Sequence, residues 1–224
     1  MFPDLGEFMD DVAVPALARC ASVAPIEYVY QFNPPQLVFL CQLLADVQSV
    51  TGNLVEVGCA HGHSTLFFNR YLDGIRFMRK KYFAIDTFAG FVAEDIQYEV
   101  ARRHKTAEMY DAFQDNSLDA FEASMRKHAV SRVEAIQCDV NAYDLESLGP
   151  LCFALLDVDL YRPIKKALPE LYAALSPGGV IVVDDCNPMN FYWDGAYQAY
   201  REFMQSQGMT PKVVHGKLGL ITKA

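Results

Sequence analysis

From residue 53 onward the chain alternates short apolar runs with stretches of helical period. The runs fall at 53–58, 82–86, 133–138, 152–157 and 180–184, rich in β-branched or large apolar types and bounded by turn residues or acids. Between them, 64–72, 117–128 and 164–175 carry apolar residues at helical spacing, the last ending at Ser176-Pro177-Gly178-Gly179, a helix stop. Strands alternating with helices predict parallel βαβ units with helices on both faces of one sheet. After a further helix over 195–207, strands at 212–215 and 218–222 are joined by so short a turn, Gly216-Lys217, that they must be antiparallel. The expected fold is α/β: a doubly wound, mostly parallel, seven-stranded sheet with an antiparallel C-terminal hairpin.

Residues 1–52 read as a short helical arm or lid, clearest over 36–47 behind Asn33-Pro34-Pro35. Residues 53–224 read as one globular unit without internal repeats. The stretch 90–116 is polar and weakly patterned, and reads as an excursion over the edge where a site would lie.

Composition narrows the function. In 224 residues, 19 basic side chains face 28 acidic ones, a net charge of −9. Arg19 is the one basic residue among the first fifty, against Asp4, Glu7, Asp10, Asp11, Glu27 and Asp46. Neither a nucleic acid nor an anionic membrane suits such a surface. Six cysteines without a CxxC pair, most inside apolar runs, read as buried small hydrophobes of a reduced chain. With no secretory signal pattern and no apolar run approaching a membrane span, the expected location is the cytoplasm.

The first run leads into Glu56-Val57-Gly58-Cys59-Ala60-His61-Gly62-His63-Ser64. Glycine between a strand and a helix lets backbone approach a ligand, with free helix N–H groups aimed at it. A dinucleotide GxGxxG would need glycine at 60 and 63, where Ala60 and His63 stand; a P-loop would need glycine at 63 and lysine at 64, where His63 and Ser64 stand. What remains is acid, x, Gly, three residues, Gly, which resembles motif I of the class I S-adenosylmethionine (SAM)-dependent methyltransferases, proteins of Rossmann-like fold. Asp86, 28 residues after Gly58, ends the second run, where a carboxylate can accept hydrogen bonds from two ribose hydroxyls; a helix N-cap is its structural alternative. Asp139 follows the third run and could face the adenine edge. On this reading the cofactor contacts come from Glu56, Gly58, Cys59, Ala60, His61, Gly62, Ser64, Asp86, Thr87, Phe88, Asp139, Val140 and Asp157.

The fourth run ends at Asp157-Val158-Asp159-Leu160-Tyr161 and the fifth at Asp184-Asp185. Strand carboxyl ends converge at a switch point, which brings Asp157, Asp184 and Asp185 together. Three bare carboxylates about 5 Å apart would repel by roughly 3 kcal/mol per pair at an effective dielectric near 20. Such a group wants a proton or a cation, and an oxygen-only set matches a hard ion, Mg²⁺ foremost. Structural roles for the three, as a helix cap, a loop anchor and a solvated acid, are the alternative.

In order along the chain come Asp86-Thr87-Phe88-Ala89-Gly90-Phe91, Asp157-Val-Asp-Leu-Tyr161, the Ala167–Tyr172 helix, Pro177-Gly-Gly179, Asp184-Asp185 and a late helix around 196–203. Over roughly 53–207 this resembles the macrocin/mycinamicin sugar O-methyltransferases. The resemblance implies a SAM- and Mg²⁺-dependent O-methyltransferase of natural-product biosynthesis, with Asp157, Asp184 and Asp185 as metal ligands and Asp157 also as base. Two features depart from it: the N-terminal arm is short, and Cys186-Asn187-Pro188 follows the Asp pair where an aromatic is expected. Catechol-type methyltransferases place a lysine three positions after the first metal aspartate; Leu160 stands there, which leaves Asp157 the nearest base and Asp159 the second.

The acceptor, a small-molecule hydroxyl, is expected among Tyr28, Tyr30, Asp159, Tyr161, Tyr192 and Trp193, with Phe32 joining the two N-terminal tyrosines as a lid. His61 and His63 read as cofactor-pocket wall, His104, His128 and His215 as solvated surface, and Arg76, Arg79, Lys80 and Lys81 as a solvated helix end. A phenol, catechol or other alcohol as acceptor, and a non-catalytic SAM-binding protein, are the alternatives. Pairing into a homo-oligomer stays open.

Overall fold

The computed structural model describes residues 27–77 and 80–224. The expected arm therefore lies outside the described residues up to residue 26, as does Arg79. Strands β1 (Asn53–Val57), β2 (Tyr82–Asp86), β3 (Val133–Gln137), β4 (Leu151–Leu156), β5 (Leu175–Val183), β6 (Val213–Val214) and β7 (Leu218–Thr222) form one sheet, in the order β3-β2-β1-β4-β5-β7-β6. The first five run parallel; β7 pairs antiparallel with both β5 and β6. The doubly wound sheet with its antiparallel hairpin is as the sequence pattern demands.

Strand alternation divides the core in two. Val55, Val57, Ile85, Leu156 and Val183 face one side, under α5 (Tyr161–Ala174) and α6 (Asp194–Ser206). Leu54, Tyr82, Phe153, Leu155 and Val182 face the other, under α1 (Pro34–Asp46) and α2 (His63–Gly74). Leu40 and Leu44 of α1 are fully buried in that second cluster. Asn33 and Gln36 start α1 with a reciprocal capping box ahead of two prolines, which need no N–H at those positions. A third cluster seats α4 (Leu118–Lys127) through Phe121 and Met125 against Cys59 and Phe88.

Three local expectations change. The weakly patterned stretch 90–116 contains a regular helix, α3 (Ala93–Arg103). Its buried residues are Asp95 and Glu99, so charge rather than hydrophobicity marks its inner face and the apolar period is missing. Strand β5 begins at Leu175, because Leu175 pairs with Leu151 across an irregularity in register, so the Ser-Pro-Gly-Gly turn is absorbed into the strand. Lys80 is not a solvated helix end: its ammonium donates to the carbonyls of Val47 and Val50.

Candidate active site

The reversal in strand order between β1 and β4 opens a crevice at their carboxyl ends, where ligands bind in open α/β sheets. A cavity of about 440 Å³ lies there, lined by the glycine loop after β1, the ends of β2 to β5 and the segment preceding α1. Gly58 leaves β1 at φ +89°, with Asp157 so close that a Cβ would lie 1.8 Å from its carbonyl oxygen. Gly62, also left-handed, precedes the first turn of α2, whose N–H groups have no partner within the helix. The carboxylate of Asp86 holds this loop open: it accepts from the N–H of Ala60 at 2.8 Å and of Phe88 at 2.7 Å, while still lining the cavity.

Gly58, Cys59, Ala60, His61, Ser64, Asp86, Thr87, Asp139 and Val140 all line the cavity, as do Asp157, Asp159, Asp184, Asp185 and Trp193. Glu56 does not. It is 1% exposed and accepts from the hydroxyls of Ser64 (2.5 Å), Thr65 (2.6 Å) and Tyr82 (2.8 Å), tying the start of α2 to β1 and β2 from beneath. Burial raises its pKa against the pull of those three donors. Gly62 and Phe88 shape the loop without lining the cavity. Burial, with Asp86 and Glu56 nearby, pushes the Cys59 thiol well up, so it is no nucleophile. Burial and the neighbouring His61 lower His63, which stays neutral.

Four of the expected acceptor residues point elsewhere. The Tyr28 hydroxyl donates to Phe32 O, and the Tyr30 ring packs edge-on against Phe67. Tyr161 stacks on Tyr98 and donates to Glu202. Tyr192 is exposed to solvent. None of the four lines the cavity. Residues overlooked in the sequence take their places: Gln31, Phe91, Asp95, Phe113, Asn190 and Lys217 line the cavity. Phe91, Phe113 and Trp193 form an aromatic wall, Phe91 centred 5.7 Å from Phe113 and 5.9 Å from Trp193.

Asp157, Asp184 and Asp185 each offer a carboxylate oxygen within 4.8 Å of the others. Burial raises Asp157 well above the carboxylate range, with Asp184 and Asp159 adding to it; Asp159 rises likewise through burial and Asp185. Asp184 is pushed up to about 6 by burial, against the pull of Lys217. Its Oδ2 accepts from Lys217 Nζ at 2.6 Å, whereas Oδ1 is buried without a partner among the described residues. Burial disfavours the Lys217 ammonium, yet Asp184, Asp157 and Asp185 more than offset this and hold it charged. An oxygen-only set carrying an orphaned buried oxygen fits a hard divalent cation.

The seven-stranded order, the glycine turn after β1 and the acid ending β2 together define a class I SAM-dependent methyltransferase. Residues 40–216 match the family model described as macrocin-O-methyltransferase (TylF). The chain belongs to that family of SAM-dependent O-methyltransferases. Comparison with curated proteins gives no match. Solved structures share the fold: the O-methyltransferase NovP at 19% identity and TM-score 0.68, over 84% of this chain and 79% of that one. CalS11, a calicheamicin methyltransferase, aligns at 20% identity and TM-score 0.67, over 84% and 78%. A putative caffeoyl-CoA O-methyltransferase from Staphylococcus aureus aligns at 14% identity and TM-score 0.58, over 89% and 86%. No helix among the described residues is long and apolar enough to cross a membrane.

Proposed function

We propose that the chain methylates a hydroxyl of a natural-product sugar, with Asp157 as the base and with Asp157, Asp184 and Asp185 holding a divalent cation, Mg²⁺ foremost. The observation that carries this is the convergence of the three carboxylates beside the glycine loop in one cavity. The family description and the CalS11 structure, described as a TDP-rhamnose 3′-O-methyltransferase of calicheamicin biosynthesis, support the sugar acceptor.

The acceptor oxygen attacks the sulfonium methyl in line; the carbon–sulfur bond breaks, sulfur keeps the electron pair as S-adenosylhomocysteine, and the hydroxyl proton leaves. The glycine loop and Asp86 would hold the cofactor, with Asp139, at the end of β3, available to its base. Trp193 and Phe91 give the acceptor an apolar wall that excludes water, so that positioning supplies much of the rate. Asp157, at the end of β4 beside the glycine loop, would take the proton. When bound, the cation supplies Lewis acidity to the hydroxyl presented beside it.

The test pairs an acceptor panel with calorimetry of S-adenosylhomocysteine. Asp157→Asn is expected to bind S-adenosylhomocysteine within a few-fold of wild type and to lose about 10²-fold or more in turnover. A variant keeping a tenth of the wild-type rate defeats the assignment of Asp157. Chelator should stop turnover and Mg²⁺ restore it; full activity in excess chelator removes the cation from the reaction. The aromatic wall favours a second reading, a phenolic acceptor, which turnover of catechols in preference to glycosides in the same panel would establish.

A further inference from the structure

The carboxylate cluster already holds one positive charge of its own. Lys217 reaches it from the turn between β6 and β7, and that turn is tied down on two sides. The Lys217 carbonyl accepts the N–H of Cys186, the residue after Asp185, at 2.7 Å. The carbonyl of His215 accepts from Gln36 Nε2 at 2.9 Å, and the His215 ring lies 4.7 Å from that of Phe39. Phe32, buried, lies under the Lys217 ammonium at 5.0 Å. So held, Nζ lies 2.6 Å from Asp184 Oδ2 and 3.5 Å from Asp185 Oδ1. The backbone on either side of this contact is anchored, while the side chain itself borders the cavity.

We propose that Lys217 is a tethered cation that competes with the divalent ion for Asp184 and Asp185, and so sets how tightly this enzyme holds that ion. The proposal rests on reading Asp157, Asp184 and Asp185 as a cation site. Three carboxyl groups converge where one ammonium stands, an excess of acidic over basic charge that attracts an ion, and Asp184 Oδ1 lacks a partner among the described residues. An ion drawn in by that charge must lie within a few ångströms of Nζ, where like charges repel strongly even at an effective dielectric near 20. Binding therefore requires the ammonium to be tolerated or turned aside toward the acceptor space it borders. The expected behaviour is a dissociable ion, with a site that stays assembled around Lys217 between loadings.

The test is calorimetric titration of MgCl₂ into metal-free wild type, Lys217→Met and Lys217→Arg, each checked for S-adenosylhomocysteine binding. Methionine keeps the apolar stem over Phe32 and removes the charge. Lys217→Met is expected to bind Mg²⁺ about tenfold tighter or more, and Lys217→Arg to remain near wild type. Mg²⁺ binding by Lys217→Met alone would support the same conclusion. A purely structural lysine predicts the opposite, since its loss would loosen the cluster and weaken the ion. Equal or weaker Mg²⁺ binding by Lys217→Met overturns the competition while leaving the cation site standing. No Mg²⁺ binding in any of them, with S-adenosylhomocysteine binding intact, overturns both. Should Lys217→Met fail to fold, Lys217→Gln carries the same titration.

Discussion

A single carbon added at Gly58 would meet the carbonyl oxygen of Asp157 at 1.8 Å, in a backbone conformation at φ +89°. The contact is with backbone, which has no rotamer to yield, and it joins the glycine loop to the first residue of the carboxylate cluster. Gly58→Ala is therefore expected to destabilise the fold by more than about 3 kcal/mol, read from urea melts. A loss under about 1 kcal/mol would mean that β1 and β4 can part at this point without consequence. Asp159 at φ +59° and Asp185 at φ +54° lie in the same left-handed region, where residues other than glycine are strained. That strain sits at the ends of β4 and β5, where the side chains must turn inward together.

Helix α3 docks by charge. Arg103 Nε lies 2.7 Å from Glu99 Oε2, and its Nη2 lies 2.6 Å from Asp194 Oδ1 at the start of α6. Glu99 Oε1 in turn accepts the N–H of Tyr161, the first residue of α5. Lys105 reaches Asp194 at 3.0 Å and donates to the carbonyl of Phe191. Three helices and the segment bearing Asn190 and Trp193 thus meet at one network. Removing its centre, Arg103→Met, leaves Glu99 buried without its charge partner and is expected to destabilise by about 3 kcal/mol or more. Pairing that change with Glu99→Gln should recover part of the loss in the same melts; a double variant no better than the single would refute the network's role. This network also explains what the sequence hid. The strands were legible because their apolar runs are continuous, and the glycine loop and the three aspartates because each ends such a run. Helix α3 was not, since its inner face carries Asp95 and Glu99 instead of leucines. Lys217 was not, since only the pairing of β7 with β5 brings it beside residues more than thirty positions earlier. Tyr161 lies off the cavity lining, since its place four residues after Asp157 says nothing of the direction in which its ring leaves the helix.

Over the whole molecule, stability should carry the mark of an acid buried beneath the cofactor loop. Burial holds the Glu56 pKa above the ordinary glutamate value of 4.5. Folding thus takes up a proton there. The stabilisation present below pH 4.5 is lost as pH rises through the raised value. Glu56→Gln lacks this dependence, so the stability difference between the two proteins should shift in the variant's favour from about pH 4.5 toward pH 8. A difference that stays constant across that range would show that Ser64, Thr65 and Tyr82 fully compensate the buried charge.

The pairing of β7 also bears on how the protein is made. β7, late in chain order, is an interior strand, lying between β5 and β6. Until residues 218–222 emerge, Val180-Ile181-Val182-Val183 has a neighbour on one side only. A nascent chain therefore completes its glycine loop early, but leaves an apolar edge open to pairing with other chains until β7 is made. Products of stalled translation would keep that edge, and they are the species from which chaperones would have to protect the cell.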